Sequence, residues 1–533
     1  MAKVIETEHL AWYRVYFARV RLHMRAETAL LTMLAVMVLT LSLVNLPYWR
    51  RTWFDEGSHL LVPKTLVQLG RYAYASSEGF RTYGPTLSVG PTVLLPIALA
   101  FKLFGIGLLQ ARLVMVAYLL LTFVVAYRLT RHLYGSMVAL MGGFLLLTSR
   151  GVNILEYGRQ VLGEMPALFF WLVGVLLWFH ALTPISPQTG EGRGARVKLW
   201  RIASGILFGL AMITKNQIAL IIPPTLVVVW GLNALYYRQV RHADFALPLM
   251  IALGLYAIWM AVLLIFLGDG NLAANLALLR QASGGALFVF KPERVLSSLK
   301  FLLGLDVFYG FLVPALLYAI GLSLRRDLEG LKNALLVVFV ALVLGWYAFG
   351  SIGWERYAFP GLAVASLFVA RLFHDLIAMA RSIGERVGTR RLLTPLTIAL
   401  IGLFVLVIGR PLVYYTRAIF FQPDDGPQRM AAYLNTHIGQ TALIETWSPE
   451  LGFLTDHRYH YPPPEILDKV VRAAWLGEPS QPEIYDFRAY QPDYLVLDPT
   501  PMRVIYPTQF VEGGYRLVIS LGGYDLYARK DGS

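Results

Sequence analysis

The chain contains no cysteine in 533 residues. That excludes a disulfide framework, a thiol nucleophile and a thiolate metal site, and it leaves the compartment open. Charge is also scarce. Asp, Glu, Lys and Arg make up 15% of the residues, where soluble domains carry about 25%. Acid is scarcer than base, 33 against 47, for a formal net charge of +14. The apolar stretches show no polar–apolar alternation, which excludes a membrane β-barrel. Neither an internal repeat nor a low-complexity tract is evident. Arg14, Arg19, Arg21 and Arg25 precede an apolar run from about Glu27 to Pro47. That run is too long for a signal-peptide core and ends without a small-x-small cleavage site, so it reads as an uncleaved first span.

What is abundant is apolar length. Hydrophobic residues make up 57% of the chain, in runs of about 20 residues, each long enough to cross a hydrocarbon core. The class is a mainly α, polytopic helical membrane protein. In a soluble protein the positive charge would suggest nucleic acid. Here it collects at run ends and loops, where it sets topology and meets anionic membrane lipid, and no nucleic-acid partner is expected.

Apolar segments lie near 27–47, 86–108, 111–131, 136–149, 164–183, 200–216, 217–237, 245–267, 300–323, 333–350, 357–373 and 392–413. The most basic short loops are Arg128/Arg131/His132, Arg193/Arg196/Lys198/Arg201, Arg238/Arg241/His242, Arg325/Arg326/Lys332 and Arg371 to Arg391. All should be cytoplasmic, with the N-terminus. Parity then requires that 86–108 does not cross. It is poor span material, containing Gly90-Pro91, Pro96 and Lys102. It reads as an interfacial or re-entrant helix in a large outer loop, about 48–110, with a second amphipathic stretch near 58–70. The expectation is about eleven spans, a cytoplasmic N-terminus and an outer C-terminus, in a cell (plasma or inner) membrane. The alternative keeps 86–108 as a span and drops a weak segment such as 136–149.

Composition changes after Tyr414, where Pro and Tyr become frequent. A helix is expected near Gln428–Asn435, buried strands at Ala442-Leu443-Ile444 and Tyr494–Leu497, and a hairpin from Tyr515–Ser520 to Tyr524–Ala528 around Gly522-Gly523. The expected division is a cytoplasmic N-terminus (1–26), a membrane catalytic part (27–413) and a small soluble extracytoplasmic α/β domain (414–533). The stretch Pro184 to Arg196 reads as a linker, and His457 and His460 as solvent-exposed.

With this topology the chemically suggestive residues share the outer face. The first loop carries Asp55, Glu56, His59, Arg81 and Tyr83; the second Glu156, Tyr157, Arg159 and Glu164; the third Thr214-Lys215-Asn216-Gln217. The fourth, about 268–299, carries Asp269, Arg280, Lys291, Glu293 and Arg294 and, with Ser283-Gly284-Gly285, is expected to form a mobile lid over the substrates. The fifth carries Glu355, Arg356 and Tyr357. Ionisable groups beside a bilayer are costly and usually have a partner or a role. Acids there could take a proton from a hydroxyl, and cations could hold an anionic head group. Plainer readings are available for each: Lys215 snorkelling to the interface, Arg356 paired with Glu355, Glu164 favoured at a helix N-terminus, and Tyr48, Trp49 and Trp53 as interface anchors.

The Asp55-Glu56 pair after the first span, Leu162-Gly163-Glu164-Met165-Pro166 entering a span, Met212-Ile213-Thr214-Lys215 leaving one, and Glu355-Arg356-Tyr357-x-x-Pro360 entering another resemble the GT-C membrane glycosyltransferases. The branch they resemble is that of the protein O-mannosyltransferases and lipid A aminoarabinose transferases (glycosyltransferase family 39-like), over about 27–413. The resemblance implies an inverting transfer from a polyprenyl-phosphate-linked sugar to a hydroxyl of a glycan, lipid or protein, on the side away from the cytoplasm. It implies Asp55 as the base, since the first acid of the pair is the essential one, with Glu56 orienting the acceptor or a cation. Arg159, Lys215 and Arg356 are the phosphate candidates, with Glu164 and Tyr357 beside them, and Arg159 could instead pair with Glu156 or Glu164. Relatives often carry Asp where this chain has the longer Glu164.

A phosphate leaving group is stable as an anion, so no general acid is needed, unlike glycoside hydrolysis. Asp55 and His59 would share a helix face, which is half a divalent-metal site at most, and no cofactor is otherwise implied. Two other functions compete. A transporter should have midplane polar groups and paired, broken halves, neither of which is seen. A polysaccharide polymerase or ligase using a lipid diphosphate would need a similar outer cation cluster.

Overall fold

The structure, a computed structural model, describes residues 25–83, 89–182, 191–267, 271–286, 288–386, 390–463, 466, 469–470, 473, 485–498 and 505–530. Arg14, Arg19, Arg21, most of the 184–196 linker and Asp269 lie outside these residues. The chain begins with α1 (Arg25–Leu43). A first large loop follows, built from α2 (Phe54–Leu69), the hairpin β1 (Ala73–Ser76) and β2 (Gly79–Thr82), and α3 (Pro91–Phe104). The membrane body continues through α4 (Leu108–Tyr134), α5 (Ser136–Thr148), the short α6 (Ile154–Tyr157), α7 (Glu164–Ala181), α8 (Glu191–Thr214), α9 (Ile222–Leu232) and α10 (Ala243–Ala261). It closes with α11 (Leu272–Ala286), α12 (Pro292–Leu302), α13 (Leu312–Ser323), α14 (Leu328–Gly350), α15 (Phe359–Arg386) and α16 (Arg390–Phe421).

Among the described residues nine helices are long and apolar enough to cross a membrane. Two of the eleven segments expected to cross are occupied by shorter apolar helices, α5 and α13, of 13 and 12 residues. The 300–323 segment is not one continuous helix as expected. Gly304 follows α12, Tyr309 and Gly310 adopt positive φ of 55° and 82°, and α13 starts only at Leu312. At 1.5 Å per residue α13 reaches about 18 Å, short of a core about 30 Å thick. The 86–108 segment forms the 14-residue α3, which ends at Gly105 and is likewise shorter than a span. In the loop expected to form a lid, Ser283-Gly284-Gly285 has helical backbone within α11.

The C-terminal part forms α17 (Gly426–His437), β3 (Leu443–Thr446), α18 (Pro449–Leu454), β4 (Arg458–His460), β5 (Tyr494–Leu497), α19 (Thr508–Gly514), β6 (Tyr515–Leu521) and β7 (Tyr524–Arg529). The sheet order is β4-β3-β5-β7-β6. β3 runs parallel to β4 and β5, and β7 runs antiparallel to β5 and β6. Gly522 and Gly523, at φ of 61° and 82°, make the hairpin turn, as the sequence leads one to expect.

His457 and His460 are buried, not exposed. The hairpin of the first loop covers β4: Ser77 N donates to Tyr459 O at 2.7 Å, and Arg81 donates to the carbonyls of Tyr461 and Pro462. His460 pairs with buried Glu445 and stacks on Tyr490 at 3.8 Å.

Glu450 lies buried where α18 meets α2, and Tyr524 OH donates to its Oε1 at 2.7 Å. Burial pushes its carboxyl up to about 7 from 4.5. Between those values the folded chain holds a proton that the unfolded chain has released, so stability falls as pH rises through the window. Because His59, pushed down to about 4, acts in the opposite sense over much of the same window, the check is a comparison: the unfolding temperature of detergent-solubilised Glu450→Gln, relative to wild type, should rise as pH goes from about 5 to about 8. Equal slopes for both chains would contradict this.

Candidate active site

Four separate pieces of chain meet at one end of the membrane body: the first turns of α2, the 156–164 stretch, the break after α8, and the 3₁₀ turn Glu355–Tyr357 between α14 and α15. α2 begins after an extended Trp53, with Asp55 and Glu56 in its first turn, where the helix dipole favours acids. Lys215 is extended (φ −148°, ψ 112°) and ends α8. Two glycines permit its close packing. A Cβ on Gly163 would lie 2.8 Å from Lys215 Cδ, and one on Gly90 would lie 1.9 Å from the Ile213 carbonyl oxygen. Gly90 N also donates to Thr214 O at 3.0 Å, and Val89 bridges Lys215.

Asp55, Arg356, Glu164 and Lys215 form an alternating chain of charges. Asp55 pairs with Arg356; Glu164 Oε1 lies 3.9 Å from Arg356 Nε and 3.2 Å from Lys215 Nζ. The side chains of Glu164, Lys215 and Arg356 are under 10% exposed, and that of Asp55 is 21% exposed. Arg356 sits among Trp354, Trp53 and Tyr357, with its Cζ 4.4, 5.5 and 5.7 Å from the ring centres. Its Nε and the Oε1 of Gln217 are buried without hydrogen-bond partners among the described residues. These are the groups a polar ligand could engage.

Burial acting alone would raise the Asp55 pKa, but Arg356, His59 and Lys215 together outweigh that and hold the carboxyl below its usual 3.8. His59 donates through Nδ1 to Val161 O at 2.7 Å. Burial, reinforced by Lys215, pushes it down to about 4, so the ring is neutral near pH 7. Burial pushes Tyr357 up to about 12.

The other expected site residues have different partners. Glu56 is fully buried; its carboxylate takes Arg112 at 2.6 and 2.9 Å and Val161 N at 3.1 Å. Arg159 donates to the carbonyls of Leu41 and Val44, each at 2.7 Å, and lies over Trp49. It pairs with neither Glu156 nor Glu164. Glu156 instead meets Arg50 at 2.9 Å and Asn153 at 2.7 Å. Arg81 fastens the hairpin to the C-terminal part, and the Tyr83 hydroxyl accepts from Val89 N at 3.2 Å. Glu355 does not pair with Arg356; burial, with Glu156 and Asp306 near, pushes its carboxyl up.

Arg112 escaped the sequence reading, although a guanidinium four residues into an apolar helix is a signal for a buried acid partner. Among the described residues no group of three His, Asp or Glu is placed to hold a metal ion. With Asp55 on Arg356 and His59 Nδ1 on a carbonyl, the donor set is that of an ion-pair site.

Residues 88–267 match the family model of the dolichyl-phosphate-mannose-protein mannosyltransferases. Among solved structures, ArnT from Cupriavidus metallidurans bound to undecaprenyl phosphate superposes with a TM-score of 0.66 at 14% identity, over 95% of this chain and 99% of that one. The oligosaccharyltransferase of Archaeoglobus fulgidus in its apo form superposes with a TM-score of 0.58 at 15% identity, over 95% of this chain and 75% of that one. No curated protein matches in sequence.

Proposed function

We infer that the chain is a multi-pass membrane glycosyltransferase of the GT-C type, because its fold is like that of ArnT and residues 88–267 match the protein-mannosyltransferase family model. We propose that it transfers a sugar, with inversion, from a polyprenyl-phosphate donor to an acceptor hydroxyl, on the non-cytoplasmic side of a cell membrane. The matched mannosyltransferase family and the undecaprenyl phosphate bound in the ArnT structure support a lipid-linked donor. The observation that carries the reading is the buried chain Asp55–Arg356–Glu164–Lys215. The 27–413 part would hold the site and the part from 414 would lie over it.

In this mechanism the acceptor oxygen attacks the anomeric carbon, and its proton passes to the Asp55 carboxylate. The bond from that carbon to the phosphate oxygen breaks, and its electron pair leaves with the polyprenyl phosphate. Lys215 and Arg356 stabilise the charge that grows there. A donor phosphate that takes Arg356 also frees Asp55 from the pair that suppresses its basicity, so donor binding prepares the base. Glu164 keeps the two cations together. Glu56 and Arg159 are assigned to the scaffold, since the Glu56 carboxylate is taken by Arg112 and the two terminal nitrogens of Arg159 by carbonyls.

Lys215→Ala and Arg356→Ala should each weaken binding of a polyprenyl phosphate to the full chain in nanodiscs by about tenfold or more, the value of one charge-assisted contact. Unchanged affinity in both variants would return the two cations to a purely structural role.

A further inference from the structure

The mechanism uses only one side of α2. Three contacts on its other side join it to the C-terminal part. The Phe54 ring stacks on Trp447 with centres 4.5 Å apart. Gly57 admits the backbone of α18 so closely that a Cβ would lie 2.3 Å from Glu450 N. Lys64 Nζ donates to the carbonyls of Gly452 at 2.9 Å, Phe453 at 3.1 Å and Thr455, and meets Asp456 Oδ1 at 2.9 Å. At about 100° per residue, positions 54, 57 and 64 share a stripe, and positions 55 and 59 fall roughly opposite.

The helix is therefore two-faced. One face seats α18 and the other presents Asp55 to Arg356. Lys64 is the most polar element of the seat and is 7% exposed. Its ammonium gathers the last carbonyls of α18, which have no partners within their own helix. Removing it would leave buried carbonyls unpaired, so α18 and α2 would have to separate or admit water. The first loop has a second attachment to the same domain, through Arg81 and Ser77. The turns of α2 that carry Asp55 are thus held on three sides: by the outer domain, by Arg356, and by Glu56 and His59 on Arg112 and the Val161 backbone.

We propose that Lys64 is a positioning residue: by fastening α2 to α18, it sets where the opposite face of α2 holds Asp55. This rests on the reading of Asp55 as the base. It gives the outer domain a part in the reaction, because displacing α18 shifts the base.

The test compares Lys64→Met and Lys64→Arg in the full chain, by hydrogen exchange and by kinetics. Lys64→Met should speed amide exchange across 54–62 and lower kcat by about tenfold, with the donor KM within about twofold, while Lys64→Arg recovers most of both. On an Asp55→Asn background, Lys64→Met should cost nothing further, because a misplaced base that is already disabled cannot be lost twice. Asp456→Asn, which weakens the same seat without burying an unpaired group, should act in the same direction and by less. Unchanged exchange, or faster exchange with unchanged kcat, would overturn the proposal. So would equal losses from Lys64→Met with and without Asp55. A wild-type chain without transfer activity would remove the function reading instead; the exchange arm alone would still decide whether Lys64 holds the helix.

Discussion

Asp55→Asn is expected to lower sugar transfer by about a thousandfold, within the range for loss of a general base, while polyprenyl-phosphate affinity is kept or rises, because the phosphate no longer displaces a carboxylate from Arg356. Asn keeps the size of the side chain and an oxygen for Arg356, but it cannot accept the acceptor's proton. The leaving phosphate needs no proton, so nothing else in the reaction should be lost. The pH profile supplies a second check. In the free chain Arg356, with His59 and Lys215, overcomes the effect of burial and keeps Asp55 ionised well below neutrality. The kcat/KM for the donor, which reports the free enzyme in which this pair is intact, should therefore stay level as pH falls from about 7 to about 5. A decline across that window would point to a base of ordinary histidine pKa, which His59, pushed down to about 4, does not have. An Asp55→Asn chain within about tenfold of wild type would remove Asp55 from the chemistry.

Glu56→Ala is expected to cost about 3–5 kcal/mol of stability, the penalty for leaving one member of a buried ion pair alone. Both Glu56 and Arg112 have fully buried side chains. Arg112 also donates to Leu46 O at 2.7 Å and Arg50 O at 2.8 Å, so the pair ties α2 and α4 to the chain leaving α1. The charge left behind has no other acid to turn to among these partners. Denaturant unfolding in detergent, or folded yield where the variant does not survive extraction, measures the loss. The double variant Glu56→Leu with Arg112→Met should recover much of that stability, because an apolar pair of similar volume avoids the desolvation of two charges. It should also retain transfer activity. A Glu56→Ala chain of normal stability that has lost transfer would instead make Glu56 a participant in catalysis.

The sequence revealed the site through residue types at the ends of apolar runs. Asp55, Glu164, Lys215 and Arg356 stand out because an ion beside a bilayer needs a reason, and the structure brings these four together. Sequence could not tell which of the neighbouring ions belong to the scaffold. Arg159 and Arg81 are anchored by backbone carbonyls over a hundred residues or more away, and no periodicity encodes such a partner. Glu56 differs from Asp55 only by one helical position, yet that turn of about 100° sends it to Arg112 and away from Arg356. The C-terminal hairpin was legible because Gly522-Gly523 is a local signal. The burial of His460 was not, since its cover is a hairpin from the first loop. The break in 300–323 was hidden because Leu, Phe and Val suit a long span and a broken one equally well.

The most direct test is a structure of the full chain with a polyprenyl phosphate bound. The phosphate should lie within hydrogen-bonding distance of Lys215 and Arg356, with Asp55 released from Arg356 and facing the open space beside the phosphate. A phosphate seated elsewhere, for instance at the opposite end near His132 and Lys332, with the Asp55–Arg356 pair intact, would contradict the account.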